Sequence, residues 1–290
     1  AAKLAQMLCE RTGLKRVFFS NSGAESNECA IKAARKWAAE HKGPEYCSII
    51  TLRGSFHGRT LTTVTATGQD TFHKFFGPFT PGFRYVPASD LAALERQLDA
   101  EDCSAVLVEI VQGEGGVRAL DADYLKAVEA LCHEKNVLFC VDEVQTGNGR
   151  TGTWFAYEQF GLSPDLVSTA KGLGNGLPIG ATLMGSKTAE VLTPGTHGST
   201  FGGNPVTCAG ALSVLEQIDD AFLEAVKQKG AWLTAELEKI PGVKDVSGLG
   251  LMLGFSVEGC KSADIKAKAL DNGLVVLTRS EEHTSELQSQ

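Results

Sequence analysis

Three short segments hold residues whose types and spacing suit chemistry on a small anionic molecule. The run Asp165-Leu-Val-Ser-Thr-Ala170 ends in Lys171, and glycines follow at 172, 174 and 176. A lysine closing an apolar run, partly withdrawn from water, loses basicity and can act as an amine nucleophile toward a carbonyl. The glycines let a bulky group approach the backbone. A second run, Val137-Leu-Phe-Cys-Val141, ends in Asp142. A carboxylate there needs a partner to keep its charge. The third segment, Asn21-Ser-Gly-Ala-Glu-Ser26, opens a helical pattern. Gly23 leaves N–H groups open at a helix N-terminus, where the dipole favours an anion such as phosphate. Each segment also has a plain structural reading: Lys171 as a surface lysine, Asp142 as a cap or ion pair, and Ser22 with Glu25 as a capping box.

The elements that must position these residues are legible as alternating patterns. Apolar runs at 47–52, 105–110, 137–141, 166–170 and 179–184 are expected to be strands. Helical spacing covers 22–39, 90–98, 124–135, 204–218 and 222–239. Alternation of this kind predicts an α/β fold with a mostly parallel sheet flanked by helices. In such sheets ligands collect at the carboxyl ends of the strands, where Glu109, Asp142 and Lys171 fall. The texture changes after Pro241-Gly242. A glycine-rich hairpin at 243–257, a helix at 262–270 and a strand at 275–278 read as the start of a smaller α+β domain. The expected division is 1–240 for the large domain and 241–278 for the small one. The chain also opens in helical spacing at Leu4, Met7 and Leu8, with no signal segment. Residues 279–290, RSEEHTSELQSQ, hold one apolar residue and match the translated codons of a common sequencing adapter, so they are expected to be foreign to the fold.

Composition narrows the function classes. A net charge of -8 argues against nucleic acid or an anionic membrane as partner. No apolar run approaches the roughly 20 residues of a membrane span. The eight cysteines form no CxxC pair and several sit inside apolar runs, which reads as core thiols in a reducing, cytoplasmic compartment, with no metal site. An anion cradle, an acid and an amine at neighbouring strand ends are together what pyridoxal phosphate requires for its phosphate, ring nitrogen and aldehyde.

The sequence is similar at this point to a known family. Six ordered segments, SNSGAESNECAIKAARK, GSFHGRT, EIVQGEGGV, VDEVQTGNGRTG, PDLVSTAKGLGNGLPIGA and HGSTFGGNP, resemble the class III, fold-type I aminotransferases, and the likeness spans residues 1–278. The resemblance implies that Lys171 binds pyridoxal 5'-phosphate covalently and that Asp142 holds its ring nitrogen protonated. It implies that Ser22, Gly23 and Ala24 receive the phosphate, that Phe56 stacks on the ring and that Gln145 lies beside the phenolic oxygen. Thr200 would reach the phosphate of a neighbouring subunit, which makes a homodimer the expected partner arrangement. Arg59 and Ser199 match substrate-contacting positions, and Glu114 matches a glutamate that switches between substrates. His57 reads as a structural histidine. The implied reaction moves a terminal amino group from N2-acetylornithine to 2-oxoglutarate, with ornithine, succinylornithine and 4-aminobutyrate as rival donors. Against the family pattern the chain is expected to be shortened at both ends, and a fragment without catalysis is the competing reading.

Overall fold

All five apolar runs become strands of one seven-stranded sheet. The computed structural model describes residues 1–279 and 284–287. The sheet contains β1 (Arg16–Ser20), β2 (Ser48–Leu52), β3 (Phe83–Val86), β4 (Cys103–Val108), β7 (Leu138–Asp142), β8 (Leu166–Thr169) and β9 (Gly180–Met184). Between β4 and β7 lies a small antiparallel pair, β5 (Val111–Gln112) and β6 (Arg118–Ala119). The order across the large sheet is β1-β9-β8-β7-β4-β2-β3. Only β9 opposes its neighbours, being antiparallel to both β1 and β8. The other six strands therefore point the same way, and their carboxyl ends share one edge.

Alternation along the strands divides the core in two. Ile49, Ala105, Leu107, Leu138, Cys140 and Leu166 face one layer. Their neighbours Ile50, Val106, Val108, Phe139, Val141 and Val167 face the other. This is the two-residue period of a strand with both faces covered, which explains why the central strands read as unbroken apolar runs. Over the first face lies α2 (Gly23–His41), whose Ala33, Ala34 and Ala38 let the helix approach closely. The second face is covered by α1 (Ala2–Thr12), α4 (Leu91–Leu98), α5 (Ala122–Glu134) and α6 (Pro205–Glu216), which contribute Leu4, Leu8, Leu94, Leu125, Val128 and Leu215. A short helix, α3 (Leu61–Ala66), follows the site loop after β2.

The expected strand bounds hold to within two residues at each end. Two strands of the seven-stranded sheet were not anticipated, β1 and β3. Both are edge strands, and Arg16, Arg84 and half-buried side chains break their apolar texture. The long helix α7 (Asp220–Glu238) leads to a second sheet made of β10 (Val243–Leu249), β11 (Met252–Val257), β12 (Leu277–Arg279) and β13 (Thr284–Leu287), in the order β10-β11-β13-β12. Here α8 (Ser262–Asp271) packs beside β12 and β13. Within the 279–290 segment, 280–283 and 288–290 lie outside the described residues.

Candidate active site

The strand ends bring the three segments together. From β1 the chain passes through Ser22 directly into α2. Ser22 caps that helix, its Oγ accepting the Glu25 N–H at 3.2 Å, and Glu25 Oε2 accepts the Asn21 N–H at 2.5 Å. The capping reading of this segment is therefore correct, and it is compatible with an anion site. The Ser22 hydroxyl is engaged as the cap, while first-turn N–H groups have no acceptor within a helix. Gly23 is needed for packing: a Cβ there would lie 2.5 Å from Val144 Cγ1. The helix N-terminus can thus sit against the end of β7.

At that end, Asp142 is buried and receives three donors. Its Oδ2 accepts from His57 Nδ1 at 2.8 Å and from Asn27 Nδ2 at 2.7 Å, and its Oδ1 accepts the Val144 N–H at 3.0 Å. Asn27 is itself fixed, since Nδ2 also donates to the His57 carbonyl at 2.8 Å and Oδ1 accepts from Ser168 Oγ at 2.6 Å. A carboxylate surrounded by donors is the form these contacts suit.

Lys171 lies just beyond β8, opening a single 3-10 turn, Lys171–Leu173, with φ of 43°. This left-handed conformation is uncommon outside glycine and is held by its surroundings. Asn148 Nδ2 ties the preceding strand end down through Thr169 Oγ1 at 2.9 Å and the Ala170 carbonyl at 3.2 Å. Lys171 and Asp142 then face one cavity of about 220 Å³, which Gly23, Ala24, Phe56, Arg59 and Gln145 also line. The Arg59 guanidinium lies 4.2 Å from the ring centre of Phe72 and 5.4 Å from that of Phe56, a cation–π arrangement that fixes its course along the cavity wall. Buried Glu109 anchors this loop by accepting the Phe56 N–H at 2.9 Å.

Four expected site residues do not line this cavity: Ser22, which caps α2 beside it, and three that stand further apart. Ser199 and Thr200 line a separate cavity of about 390 Å³ beside Asn21 and Glu25, where Ser199 Oγ accepts from Asn21 Nδ2 at 3.1 Å. Glu114 lies in the turn between β5 and β6, closed by the Gly116 N–H bonding to the Gly113 carbonyl at 3.1 Å.

Residue-level reading passed over Asn27, and it set His57 aside as structural. Asn27 had a usable signal: it lies four residues after Gly23, hence on the same helix face as the cradle. His57 had none, because its partner is 85 residues away. Glu143, next to Asp142, was also missed. It is fully buried, and burial pushes its carboxyl up to about 7.

Comparison with known proteins identifies the family. The model of the family described as aminotransferase class-III matches residues 1–285. An acetylornithine aminotransferase from Haemophilus ducreyi is 52% identical over 279 residues, covering 96% of this chain and 71% of that protein. One from Bacillus subtilis is 47% identical over 277 residues, covering 94% and 70%. Among solved structures, an ornithine aminotransferase from Toxoplasma gondii, whose structure has partial occupancy of PLP at its active site, superposes with a TM-score of 0.93 at 36% identity, covering 99% of this chain and 70% of that one. An N-acetylornithine aminotransferase from Stenotrophomonas maltophilia gives 0.83 at 36% identity, covering 99% and 72%. The chain belongs to the class-III aminotransferases, with the mixed α/β sheet of fold-type I enzymes.

Proposed function

We propose that this enzyme uses pyridoxal phosphate to move the terminal amino group of N2-acetylornithine to 2-oxoglutarate, giving N-acetylglutamate 5-semialdehyde and glutamate. The observation that carries this reading is the convergence of Lys171, Asp142 and the N-terminus of α2 on one cavity. The residues fit the cofactor: a cradle that a Cβ would disturb, an acid with donors already in place, and an amine beside it. When bound, pyridoxal phosphate supplies an aldehyde and an electron-accepting ring. Ser22, Gly23 and Ala24 at the helix N-terminus would receive its phosphate. The Lys171 amine would bind the cofactor's carbonyl carbon covalently; once the donor's amine had replaced it there, the freed lysine amine could take a proton from the substrate carbon that bears the transferred nitrogen. Asp142 would accept a hydrogen bond from the protonated ring nitrogen, and that charge pairing would favour removal of the carbon's proton. Phe56 and Gln145, which line the same cavity, would cover the ring and meet its phenolic oxygen.

For the substrate, Arg59 offers a planar cation to a carboxylate, with Ser199 as a further contact and Glu114 as the residue that sorts the two half-reactions. The acetylornithine assignment draws on the 52% and 47% identical relatives. Thr200 lies outside the Lys171 cavity, which suits a role in the site of a second copy. Exposed Phe75, Phe201 and Val206 offer apolar surface for such a homodimer. Eight free thiols favour a cytoplasmic setting, and no described helix is long and apolar enough to cross a membrane. We read residues 1–240 as the cofactor-binding domain and 241–278 as belonging to a smaller one, since the mixed sheet gives way to an antiparallel one from β10 onward.

The test is covalent trapping. After incubation with pyridoxal phosphate, borohydride reduction and denaturation, the wild type should retain the cofactor and Lys171→Ala should not. Retention by Lys171→Ala would overturn the assignment. Comparison of kcat/KM for N2-acetylornithine, ornithine and 4-aminobutyrate, with 2-oxoglutarate as acceptor, decides the donor.

A further inference from the structure

The backbone bonds between β7 and β8 stop short of the lysine. The two strands are parallel, and Asp142 stands opposite Ser168. The Glu143 N–H donates to the Ser168 carbonyl at 2.8 Å. In a parallel ladder the next rung would run from the Gln145 N–H to the Ala170 carbonyl. By then the chain has turned off the sheet, with the Gly147 N–H bonding to the Glu143 carbonyl at 2.9 Å. A side chain reaches that carbonyl instead: Asn148 Nδ2 donates to it at 3.2 Å and to Thr169 Oγ1 at 2.9 Å. Asn148 thus grips both residues that precede Lys171. The Leu173 N–H meets the same Ala170 carbonyl at 2.9 Å and closes the turn that Lys171 opens. Gly172 lets the two segments meet, since a Cβ there would lie 3.3 Å from Asn148 Cβ. From α2, Ser26 Oγ also reaches the Thr169 carbonyl at 3.2 Å, but its one hydrogen is shared with the Ser22 carbonyl at 3.0 Å. Asn148 itself has φ of 58°, which asparagine tolerates better than most residues. The Ala170 carbonyl can only accept, so Nδ2 must face it. Oδ1 is left buried with no partner among the described residues. An unpaired buried acceptor costs stability, so what this amide supplies is its donor end.

We propose that Asn148 is a positioning residue for Lys171: its amide stands in for the last rung between β7 and β8 and holds the lysine in the left-handed turn from which it faces the same cavity as Asp142. This rests on the reading of Lys171 as the amine that binds the cofactor. Lys171 has φ of 43°, and nothing in a lysine side chain favours that conformation. Without the Asn148 amide, Thr169 and Ala170 each lose a bond that fixes the strand end. The backbone at 171 is then free to relax toward ordinary angles, which turns the side chain from its course into the cavity. The phosphate cradle and Asp142 belong to α2 and β7 and keep their own bonds. The loss therefore falls on the bond to the aldehyde and spares the contacts to phosphate and ring nitrogen.

The experiment compares two ligands that differ only where the lysine acts. Dissociation constants are measured for pyridoxal phosphate and for 4-deoxypyridoxine 5'-phosphate, which keeps the phosphate and the ring nitrogen but has a methyl in place of the aldehyde. Asn148→Gly keeps the left-handed backbone and removes the amide. It should weaken pyridoxal phosphate binding roughly 10-fold, the scale of the hydrogen bonds removed, and leave the deoxy compound within about twofold of the wild type. In a Lys171→Ala background the same substitution should change pyridoxal phosphate binding by less than about twofold, because no amine remains to be positioned. The proposal is overturned if Asn148→Gly binds pyridoxal phosphate within about twofold of the wild type, if both ligands weaken alike, or if the loss persists without Lys171. If Asn148→Gly does not fold, Thr169→Val takes its place, keeping the volume and removing one of the two acceptors. A loss of about two- to fivefold confined to pyridoxal phosphate is then expected, and no loss, or an equal loss for both ligands, overturns the proposal. If the wild type forms no borohydride-stable adduct at Lys171, the cofactor reading itself fails, and this proposal falls with it.

Discussion

Glu143→Gln offers the sharpest physical test of the site's construction. Glu143 is fully buried beside Asp142, and its carboxylate oxygens accept the Thr146 hydroxyl at 2.5 Å and the Tyr157 N–H at 2.9 Å. Burial pushes its carboxyl up to about 7 from 4.5, and the nearby Glu158 adds to the rise; Thr146 and the N–H groups of Ala156 and Tyr157 pull the other way. The sign follows from proton counting. The unfolded chain releases this proton near 4.5 and the folded chain near 7. Between those values the folded state holds more protons, so stability falls as pH rises through the window and levels off above it. At about 1.4 kcal/mol per pH unit, the loss attributable to Glu143 is on the order of 3 kcal/mol. Glutamine has the same shape and no titration.

The assay is urea unfolding of both proteins from pH 4 to pH 8. The variant's absolute stability is not the observable, because an amide facing two donors carries its own cost. The observable is the difference, Gln minus Glu, which should rise by on the order of 3 kcal/mol across the window. Acids distant from Glu143 titrate alike in both proteins and cancel. A difference that changes by less than about 1 kcal/mol, or that falls with pH, refutes the reasoning.

Two further outcomes are expected. Gly180→Ala would place a Cβ 2.5 Å from the Ser22 carbonyl and 2.4 Å from Ser26 Oγ, so backbone must move at the start of α2. It should cost about 1–3 kcal/mol in denaturant unfolding, whereas Gly23→Ala meets only the Val144 side chain and should weaken pyridoxal phosphate binding more than stability. For the thiols, Cys47 and Cys260 are exposed and should react rapidly with a disulfide reagent. Cys29 and Cys103, pushed up to about 11 by burial, and the fully buried Cys132 and Cys140 should react only on unfolding. Rapid labelling of any of these four would contradict the packing.

What was legible in the sequence, and what was not, divides along one physical line. A strand buried on both faces must be apolar throughout, so β2, β4, β7, β8 and β9 announce themselves. A polar residue that closes such a run is conspicuous for the same reason, which is how Asp142 and Lys171 came into view. Direction leaves no such trace: Gly180–Met184 is as apolar as its neighbours and runs opposite to β8. Edge strands lose the signal because they shed burial, as at Arg16 and Arg84.

The residues that complete the site are hidden differently. Asn27 sits in a helix and His57 in a loop, and they reach Asp142 across 115 and 85 residues of chain. Each is unremarkable beside its own neighbours, since a polar side chain in an amphipathic helix or after a strand needs no special explanation. Their meaning lies in a distance that only the assembled sheet creates. The apolar runs set the depth at which Asp142 is buried, and that depth makes partners obligatory, since a lone buried carboxylate is costly. A buried acid at a strand end is therefore itself a prediction that donors will arrive from elsewhere in the chain. Here they come from Asn27, His57 and the Val144 N–H, leaving one oxygen with the capacity to meet a ligand.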